Sequence, residues 1–421
     1  MRTDTNFSFL DYIIKWCYPG MRIKRWFLTT VLGIFIVALG VIFAVSEFTF
    51  VTIAGFVIIL CGVALVVLGI IKMIISLITL FLPERERDLV NILYQRRYLE
   101  RGPKVVAIGG GHGLSNLLFG LKSYTSNLTA IVTVADSGGS SGRLREEFNI
   151  VAPGDIRNCL VALADAPALM GELFQFRFAK DSQLQGHNFG NLFLTAMVQL
   201  TGGDFEKAVK ESSKVLAIRG KVVPSTISNV HLVAEYEDGT WTEGEAKIPQ
   251  RGKHIRRLYL KPEATRPTQD ALEAIANADV IIFGPGSLYT SIIPNLIING
   301  MTEALEQSHA YKIYVCNVMT QPGETDDYAA SDHLKALMKH TTSRIVDACL
   351  LNDAIVPSGA LEKYRQENSY PVAADVDVIK ALGCRVIAAD LLGVDNFIRH
   401  DADKLTKILI DLIEAQRVIK R

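Results

Sequence analysis

A glycine-rich stretch, GGGHG at residues 109–113, follows a short apolar run and precedes a helical pattern. Backbone N–H groups at the start of such a helix attract anions, and glycines let a phosphate approach the backbone closely. The stretch lacks the Lys-Ser/Thr pair of a P-loop and resembles the dinucleotide fingerprint only in displaced form. A tight strand-to-helix turn is the alternative explanation, and His112 is either a phosphate donor or a residue with a structural hydrogen bond. The candidate ligand-binding residues here are Gly109, Gly110, Gly111, His112, Gly113 and Ser115.

A second polar loop, at residues 136–145, follows the next predicted strand. Asp136 ends that strand, where an acid commonly bonds a ribose hydroxyl or a metal, and the serines and Arg143 supply donors to phosphates. A mobile connection is the alternative, but two such loops after consecutive strands favour a ligand site. The candidates in this flexible loop are Asp136, Ser137, Gly138, Gly139, Ser140, Ser141 and Arg143.

Two helix starts add further polar side chains. Asp155 and Asn158 lie in PGDIRN at residues 153–158, where Asp155 is either a helix cap or part of the site. In GHNFGN at residues 186–191, His187, Asn188 and Asn191 fall on about one helix face, and capping explains only Asn188. Weak candidates for a general base are Asp136, Asp155 and His187, and each has a structural alternative.

Two more loops are predicted to face these across a cleft. FGPGSLYTS at residues 283–291 and CNVMTQPGET at residues 316–325 each follow a predicted strand, and open α/β sheets bind ligands at the carboxyl ends of strands. The candidates are Gly284, Gly286, Ser287, Tyr289, Thr290, Asn317, Thr320 and Glu324.

The elements that position these loops alternate between short β-branched runs and longer helical patterns. This alternation predicts an α/β fold with a Rossmann-like, mainly parallel sheet and helices on both faces. Residues 221–260 are predicted to form an inserted antiparallel β segment. The predicted strands are 104–108, 130–135, 280–283, 312–316 and 344–350. The predicted helices are 113–123, 155–164, 188–200, 205–216, 268–277 and 401–417.

The N-terminal part is apolar. Residues 26–45 and 52–71 carry no charge and are long enough to cross a bilayer. Lysines and arginines flank the pair but are absent from the link around Ser46, so the positive-inside rule predicts a hairpin in the inner membrane with both termini and the main domain cytoplasmic. Two buried core helices are the disfavoured alternative. Residues 73–82 continue the second helix or lie in the interface, and 83–103 form an amphipathic or a solvated connector.

These features divide the chain into segments 1–25 (cytoplasmic), 26–82 (transmembrane hairpin), 83–103 (juxtamembrane connector) and 104–421 (nucleotide-binding α/β domain). The 421 residues carry 44 basic and 44 acidic side chains, so no global field attracts nucleic acid. Six cysteines are scattered without metal-ligand spacing, which indicates reduced thiols that mostly fill apolar sites and no protein metal site.

Several motifs together resemble the bacterial gluconeogenesis factor family, which is related to 2-phospho-L-lactate transferase, an enzyme of deazaflavin cofactor assembly. They occur in family order over nearly the whole chain after Lys104, and the hairpin is not covered. The motifs are GGGHGLS from Gly109, TVADSGGSSGRLR from Thr133, PGDIRN from Pro153, GHNFGNLF from Gly186, FGPGSLYTSIIPNL from Phe283 and CNVMTQPGETD from Cys316.

The resemblance implies a Rossmann-like fold, binding of a nucleotide-sugar such as a UDP-sugar, and a role in cell shape on gluconeogenic carbon sources. A homodimer and an envelope-synthesis protein are the expected protein partners. In the related transferase, matching loops hold a phosphorylated donor and a deazaflavin acceptor, with Mg²⁺ assisting. Many relatives have Thr at position 112 and Asp at position 137, and Ser137 weakens carboxylate metal ligation. The sequence therefore favours a regulator over a transferase, and an anchored scaffold with a relic pocket is the third hypothesis.

Overall fold

The fold is described from a computed structural model, in which the described residues are 23–46, 48–81, 98–165, 168–179, 182–342, 345–394 and 398–419. They belong to two compact units, Met1–Gln95 and Arg96–Arg421. Cys17 and residues 82–97, which include most of the predicted connector, lie outside the described residues.

The first unit contains two long antiparallel helices, α1 (Ile23–Ala44) and α2 (Thr49–Phe81). Each is long and apolar enough to cross a membrane, over Arg25–Ala44 and Thr49–Ser76 respectively. The predicted span 52–71 falls within α2, and the predicted span 26–45 matches α1 except for its last residue. Because α2 runs on to Phe81, residues 73–81 continue the second helix, which was one of the two sequence alternatives.

Glycines let the two helix backbones approach closely. A Cβ added to Gly33 would lie 2.8 Å from the backbone N of Val66, and one added to Gly62 would lie 2.8 Å from the N of Val37. Gly40, seven residues after Gly33, makes the same kind of contact. Close backbone packing of this kind stabilises helix pairs in a lipid environment, where no hydrophobic driving force acts between helices.

The second unit is built on a parallel seven-stranded sheet in the order β10-β9-β8-β7-β1-β2-β3. Its strands are β1 (Val105–Gly109), β2 (Leu128–Val132), β3 (Lys221–Pro224), β7 (Val280–Phe283), β8 (Tyr311–Val315), β9 (Ala348–Asn352) and β10 (Arg385–Ala389). From β1 the chain proceeds towards β3, and from β7 it proceeds the other way. Right-handed crossovers in opposite directions place helices on both faces and open a crevice between β1 and β7.

The sheet confirms the predicted α/β class and the five predicted strands, with ends shifted by a few residues. Two edge strands differ from the prediction. Residues 221–224 were assigned to the antiparallel insertion, which is wrong because β3 pairs parallel with β2. Strand β10 was not predicted at all, and its half-exposed RVIAA sequence lacks the continuous apolar run of a central strand.

The rest of the insertion is antiparallel, as predicted. Strands β4 (His231–Tyr236), β5 (Trp241–Glu243) and β6 (Ile255–Lys261) form a sheet in the order β5-β4-β6. A further short pair, β11 (Leu392–Val394) and β12 (Ile398–His400), follows β10.

The helices of the second unit follow. They are α3 (Gly111–Leu121), α4 (Gly139–Phe148), α5 (Gly154–Leu163), α6 (Ala168–Gln175), α7 (Phe189–Leu200), α8 (Phe205–Val215), α9 (Gln269–Ala276), α10 (Ile293–Leu296), α11 (Met301–Gln307), α12 (Ala330–His340), α13 (Ser358–Gln366), α14 (Val376–Ala381) and α15 (Ala402–Ile419). The six predicted helices are confirmed.

Helix α4 corrects the prediction of a flexible Ser/Gly loop at residues 136–145. It begins after Gly138 and buries Leu144 and Arg145. The weak helix propensity of its first residues hid it in the sequence, and tertiary burial of Ser140, Ser141, Leu144 and Arg145 outweighs that weakness.

The described cysteines are free thiols, and Cys159, Cys316, Cys349 and Cys384 are buried. Burial raises the pKa of each of these four thiols, so they are protonated near neutral pH. This placement agrees with the prediction of thiols that fill apolar sites.

Candidate active site at the sheet crevice

A cavity of about 620 Å³ lies in the crevice between β1 and β7. The loops after β1, β2, β7 and β8 all contribute to it, because the carboxyl ends of parallel strands meet at one edge of a sheet. Of the predicted residues, those in its lining are Gly110, Gly111, His112, Gly113, Asp136, Asp155, Gly286, Ser287, Thr290, Asn317 and Thr320.

The glycine loop is shaped by its protein neighbours as well as by the cavity. Gly111 has φ +66°, a conformation that favours glycine. A Cβ at Gly110 would clash with the Asp155 carboxylate, and one at Gly113 would lie 2.6 Å from the Pro285 carbonyl oxygen. Both explanations from the sequence therefore apply: the glycines close a tight turn, and the start of α3 also faces the cavity.

Three of the carboxylates that line the cavity, Asp136, Asp155 and Glu245, interact electrostatically with one another. Asp136 accepts a hydrogen bond of 2.9 Å from the Gly138 N–H, and Asp155 accepts one from the Gly111 N–H. Burial, followed by the charge of Asp136, raises the pKa of Asp155 to about 7. The same two causes, in the same order, raise the pKa of Glu245 to about 7. Both groups therefore change charge close to neutral pH.

Glu245 comes from the inserted segment, and the sequence analysis missed it. The Ser137 N–H donates to Glu245 Oε2 at 3.4 Å, and the Ala246 N–H donates to Ser137 Oγ at 3.1 Å. Ser137 therefore joins the insertion to the Asp136 loop and lies outside the cavity lining. No local motif marks Glu245, since only the fold of the insertion brings it beside Asp136.

A magnesium site needs several oxygen ligands in a defined geometry. Among the described residues, no group of three or more His, Cys, Asp and Glu side chains is arranged to hold a metal ion. Side chains of the described residues alone therefore do not form a Mg²⁺ cage, and a Mg²⁺ ion here would need ligand phosphates in addition to the cavity carboxylates.

The predicted set His187, Asn188 and Asn191 lies together, joined by Ser140 from the second loop, but outside the cavity lining. Ser140 Oγ accepts from the Asn188 N–H and from Asn191 Nδ2, both at 3.2 Å, and lies 3.3 Å from His187 Nδ1. Asn191 Nδ2 also donates to Ser141 Oγ at 3.3 Å. These bonds tie the start of α4 to the start of α7.

Replacing Ser140 with alanine is expected to reduce the free energy of unfolding by about 1–3 kcal/mol, because the buried Asn188 N–H loses its acceptor. Ser115→Ala is the matched control, since Ser115 Oγ donates only to the nearby His112 carbonyl. Urea denaturation of both variants measures the difference. Equal stability of the two would contradict the structural role of Ser140.

Arg157 supports the same cluster from α5. Its Nη1 donates to Asn191 Oδ1 at 3.1 Å and its Nη2 to Asn158 Oδ1 at 2.6 Å. Desolvation lowers the pKa of His187, so its imidazole is neutral near pH 7.

Across the crevice, the loops after β7 and β8 are bonded to each other. Gln321 Nε2 donates to Ser287 Oγ at 2.6 Å, and Thr290 Oγ1 donates to Glu324 Oε1 at 3.1 Å. Glu324 also accepts backbone bonds from Tyr289 and Thr290 and lies outside the lining. Tyr289 is buried and its hydroxyl lies 2.7 Å from that of Tyr328.

The cavity has a further wall from the C-terminal part of the domain, which the sequence analysis did not identify. The Tyr364 hydroxyl accepts from the Ile398 N–H at 2.7 Å, and Ser369 Oγ donates to the Thr320 carbonyl oxygen at 2.6 Å. These contacts bring residues far apart in sequence to one edge, where no sequence motif marks them. The lining residues from this part are Tyr364, Glu367, Ser369, Ile398, Arg399 and His400.

The remaining predicted site residues are not part of the lining of this cavity. They are Gly109, Ser115, Ser137, Gly138, Gly139, Ser140, Ser141, Arg143, Asn158, His187, Asn188, Asn191, Gly284, Tyr289 and Glu324.

Residues 105–392 match the family described as 2-phospho-L-lactate transferase CofD. A putative gluconeogenesis factor of Nostoc is 47% identical over 418 residues, covering 94% of this chain and 91% of the relative. The gluconeogenesis factor of Bacillus subtilis is 49% identical over 313 residues, covering 74% and 98%. A crystal structure of a UPF0052 family member from Bacillus halodurans superposes with a TM-score of 0.71 at 48% identity, covering 73% and 99%.

The Nostoc relative covers 94% of this chain and the Bacillus subtilis relative covers 74%. An alignment over 94% of the chain must extend into α1 and α2, so the Nostoc protein has a counterpart of this region. The expectation that the resemblance leaves the hairpin uncovered is thus corrected for this relative.

Proposed function

This chain belongs to the gluconeogenesis factor family, and we propose that it binds a nucleotide-sugar, such as a UDP-sugar, and acts as a membrane-tethered regulator. The observation that carries the proposal is the crevice cavity, where the start of α3 faces polar loops from four strands. Helix starts favour phosphates, and the cavity volume is in the range of small-molecule sites. The regulated process is proposed to be cell shape and envelope synthesis on gluconeogenic carbon sources, through an envelope-synthesis partner and a homodimer.

The carboxylates of the cavity suit the sugar end of such a ligand. Asp136 and Glu245 line the cavity and are acceptors for hydroxyl groups. Arg399 lines it as well and supplies a cation for the phosphates.

Titration of the full chain in detergent with UDP-glucose tests this function. We expect a Kd of about 1 µM, corresponding to about −8 kcal/mol. Gly113→Leu is the loss-of-site variant, because its side chain would enter the space next to the Pro285 carbonyl. Absence of binding to the wild-type chain would refute the proposal.

A transferase is the second candidate, favoured by the match to the 2-phospho-L-lactate transferase family and by two half-buried carboxyls with a pKa of about 7. Asp155 or Glu245 would serve as a general base at that pKa. Incubation with a phosphate-linked donor, a deazaflavin acceptor and Mg²⁺ tests it. Formation of a phosphodiester product would show that the protein acts as a transferase and not as a regulator.

The tether is proposed to be a hairpin in the inner membrane with both termini and the main domain in the cytoplasm. Two apolar helices of sufficient length and the basic residues that flank them support it. Epitope tags at the two termini are expected to show the same protease accessibility in membrane vesicles. Opposite accessibility of the tags would exclude the hairpin.

A further inference from the structure

A second cavity, of about 360 Å³, adjoins the first at His112, which lines both. Its walls come from three helices: α3 presents Asn116 and Phe119 on the same face as His112, α5 presents Asn158, and α6 presents Gln175. The function proposed above makes no use of this cavity.

The lining of the second cavity contains amides and apolar groups but no carboxylate. Asn158 is only 6% exposed, and no described residue accepts a hydrogen bond from its Nδ2. The Asn116 side chain likewise has no hydrogen-bond partner among the described residues, and Gln175 has only a 3.5 Å contact to Asn158 Oδ1. A side-chain amide offers both a hydrogen-bond donor and an acceptor. These match the acceptors and donors on the edge of a nitrogen heterocycle.

An aromatic face completes this lining. The Phe119 ring is 61% exposed, and Lys122 Nζ lies 4.7 Å from its centroid. The Lys122 ammonium also donates to the Ala164 carbonyl oxygen at 2.8 Å, which holds it in place. A planar ring therefore finds a face for stacking and an edge of amides in one pocket.

The junction of the two cavities is positively charged. The pKa of His112 is lowered by desolvation and then by the positive charges of Arg157, Arg177 and Arg399, and Arg399 also lines the first cavity. His112 also lies in the first turn of α3, where the helix dipole is positive. A phosphate group is the ligand chemistry that suits this junction.

We propose that the two cavities form one elongated site, with the heterocyclic base of the nucleotide-sugar in the second cavity, its phosphates at His112 and its sugar in the first cavity. The division follows from the linings: the carboxylates Asp136 and Glu245 line only the first cavity, and the amides of Asn158 and Gln175 line only the second. This inference rests on the proposed nucleotide-sugar binding and assigns its base-binding half.

A glycine offers a way to fill the second cavity without disturbing the fold. Gly171 lies in α6 and lines this cavity, and a Cβ there would meet no atom within 4 Å. Gly171→Phe therefore places a ring where the base is proposed to bind. Gly359→Phe is the matched control, since Gly359 lies in α13, also has open space at its Cβ and lines neither cavity.

The experiment titrates both full-length variants and the wild type with UDP-glucose, UMP and glucose 1-phosphate. Gly171→Phe is expected to weaken UDP-glucose and UMP at least about tenfold, or 1.4 kcal/mol, and to leave glucose 1-phosphate unchanged. Gly359→Phe is expected to bind all three like the wild type, and equal melting temperatures of the two variants show intact folding. Unchanged UMP binding, or equal weakening of all three ligands, overturns the base site, whereas a wild type that does not bind UDP-glucose overturns the proposed function itself.

A second pair of substitutions tests the amide edge. Asn116→Ala combined with Gln175→Ala removes two amides that make no strong bonds within the protein. The ratio of UDP-glucose to ADP-glucose affinity is expected to fall towards one, because base-specific contacts are lost while stacking remains. If the variant keeps the wild-type ratio of UDP-glucose to ADP-glucose affinity, recognition of the base in this cavity is contradicted.

Discussion

Replacing Asp155 with asparagine is expected to raise the free energy of unfolding at pH 8 by about 2–4 kcal/mol and to leave it nearly unchanged at pH 4. Asp155 is half-buried at the cavity wall, and its pKa is raised to about 7 from the usual 3.8, mainly by desolvation. Asparagine keeps an oxygen that accepts the Gly111 N–H but carries no charge.

The sign follows from proton binding. Between about pH 4 and pH 7 the folded state keeps the Asp155 proton while the unfolded state has lost it, so stability falls as pH rises through this window. Above pH 7 both states are ionised and the destabilisation is complete. The wild type should therefore be more stable at pH 5 than at pH 8, and the variant should lose most of that difference.

Thermal melting of the full chain at several pH values measures this effect, with an expected gain of about 4 °C or more at pH 8. Asp353→Asn is the control, because Asp353 is exposed and its carboxylate makes no hydrogen bond or ion pair among the described residues. A variant that melts like the wild type at pH 8 would mean that Asp155 is not a strained charge in the folded protein.

Binding of UDP-glucose is expected to weaken at least about tenfold between pH 6 and pH 8, with net proton uptake below pH 8. The diphosphate keeps its charge in this range, whereas Asp155 and Glu245 ionise with a pKa of about 7. Ionised carboxylates in the same cavity repel the phosphates, and the bound phosphates in turn favour the protonated carboxyls.

Calorimetric titrations in buffers of different ionisation enthalpy measure the number of protons taken up. Glu245→Gln is expected to remove about half of the pH dependence while retaining the hydrogen bond from the Ser137 N–H. The control Asp403→Asn, in helix α15, is expected to leave the pH dependence of binding unchanged. Affinity that is independent of pH, without proton uptake, would place the phosphates away from these carboxyls.

Both predictions concern carboxyl groups that lower the stability of the folded state and are explained by a role in the binding site. Burying Asp155 and Glu245 next to Asp136 costs folding free energy that a packed core would not require, and such strained charges are typical of functional sites.

Local sequence determined the elements with strong periodicity. The apolar runs that became β1, β2 and β7 were predicted within a few residues, and so were the long helices α7 and α15, because hydrophobic periodicity is a local signal. Prediction from local sequence was wrong where helix or strand propensity and burial disagree. The GSSG start of α4 predicts a flexible loop, and the edge strand β10 lacks the continuous apolar run that predicts a strand.

The glycine loop and Asp136 could be identified from sequence because strand ends mark the binding edge of an open sheet, and Asp155 could be identified from the helix start that contains it. Glu245, Tyr364 and Arg399 could not, since they reach the cavity through an insertion and a C-terminal wall whose packing is not encoded in any short motif. Sequence thus determined which loops surround the crevice. Only the tertiary structure decided which side chains face it and which carboxyls are buried together, because burial and charge proximity depend on contacts between residues distant in the chain.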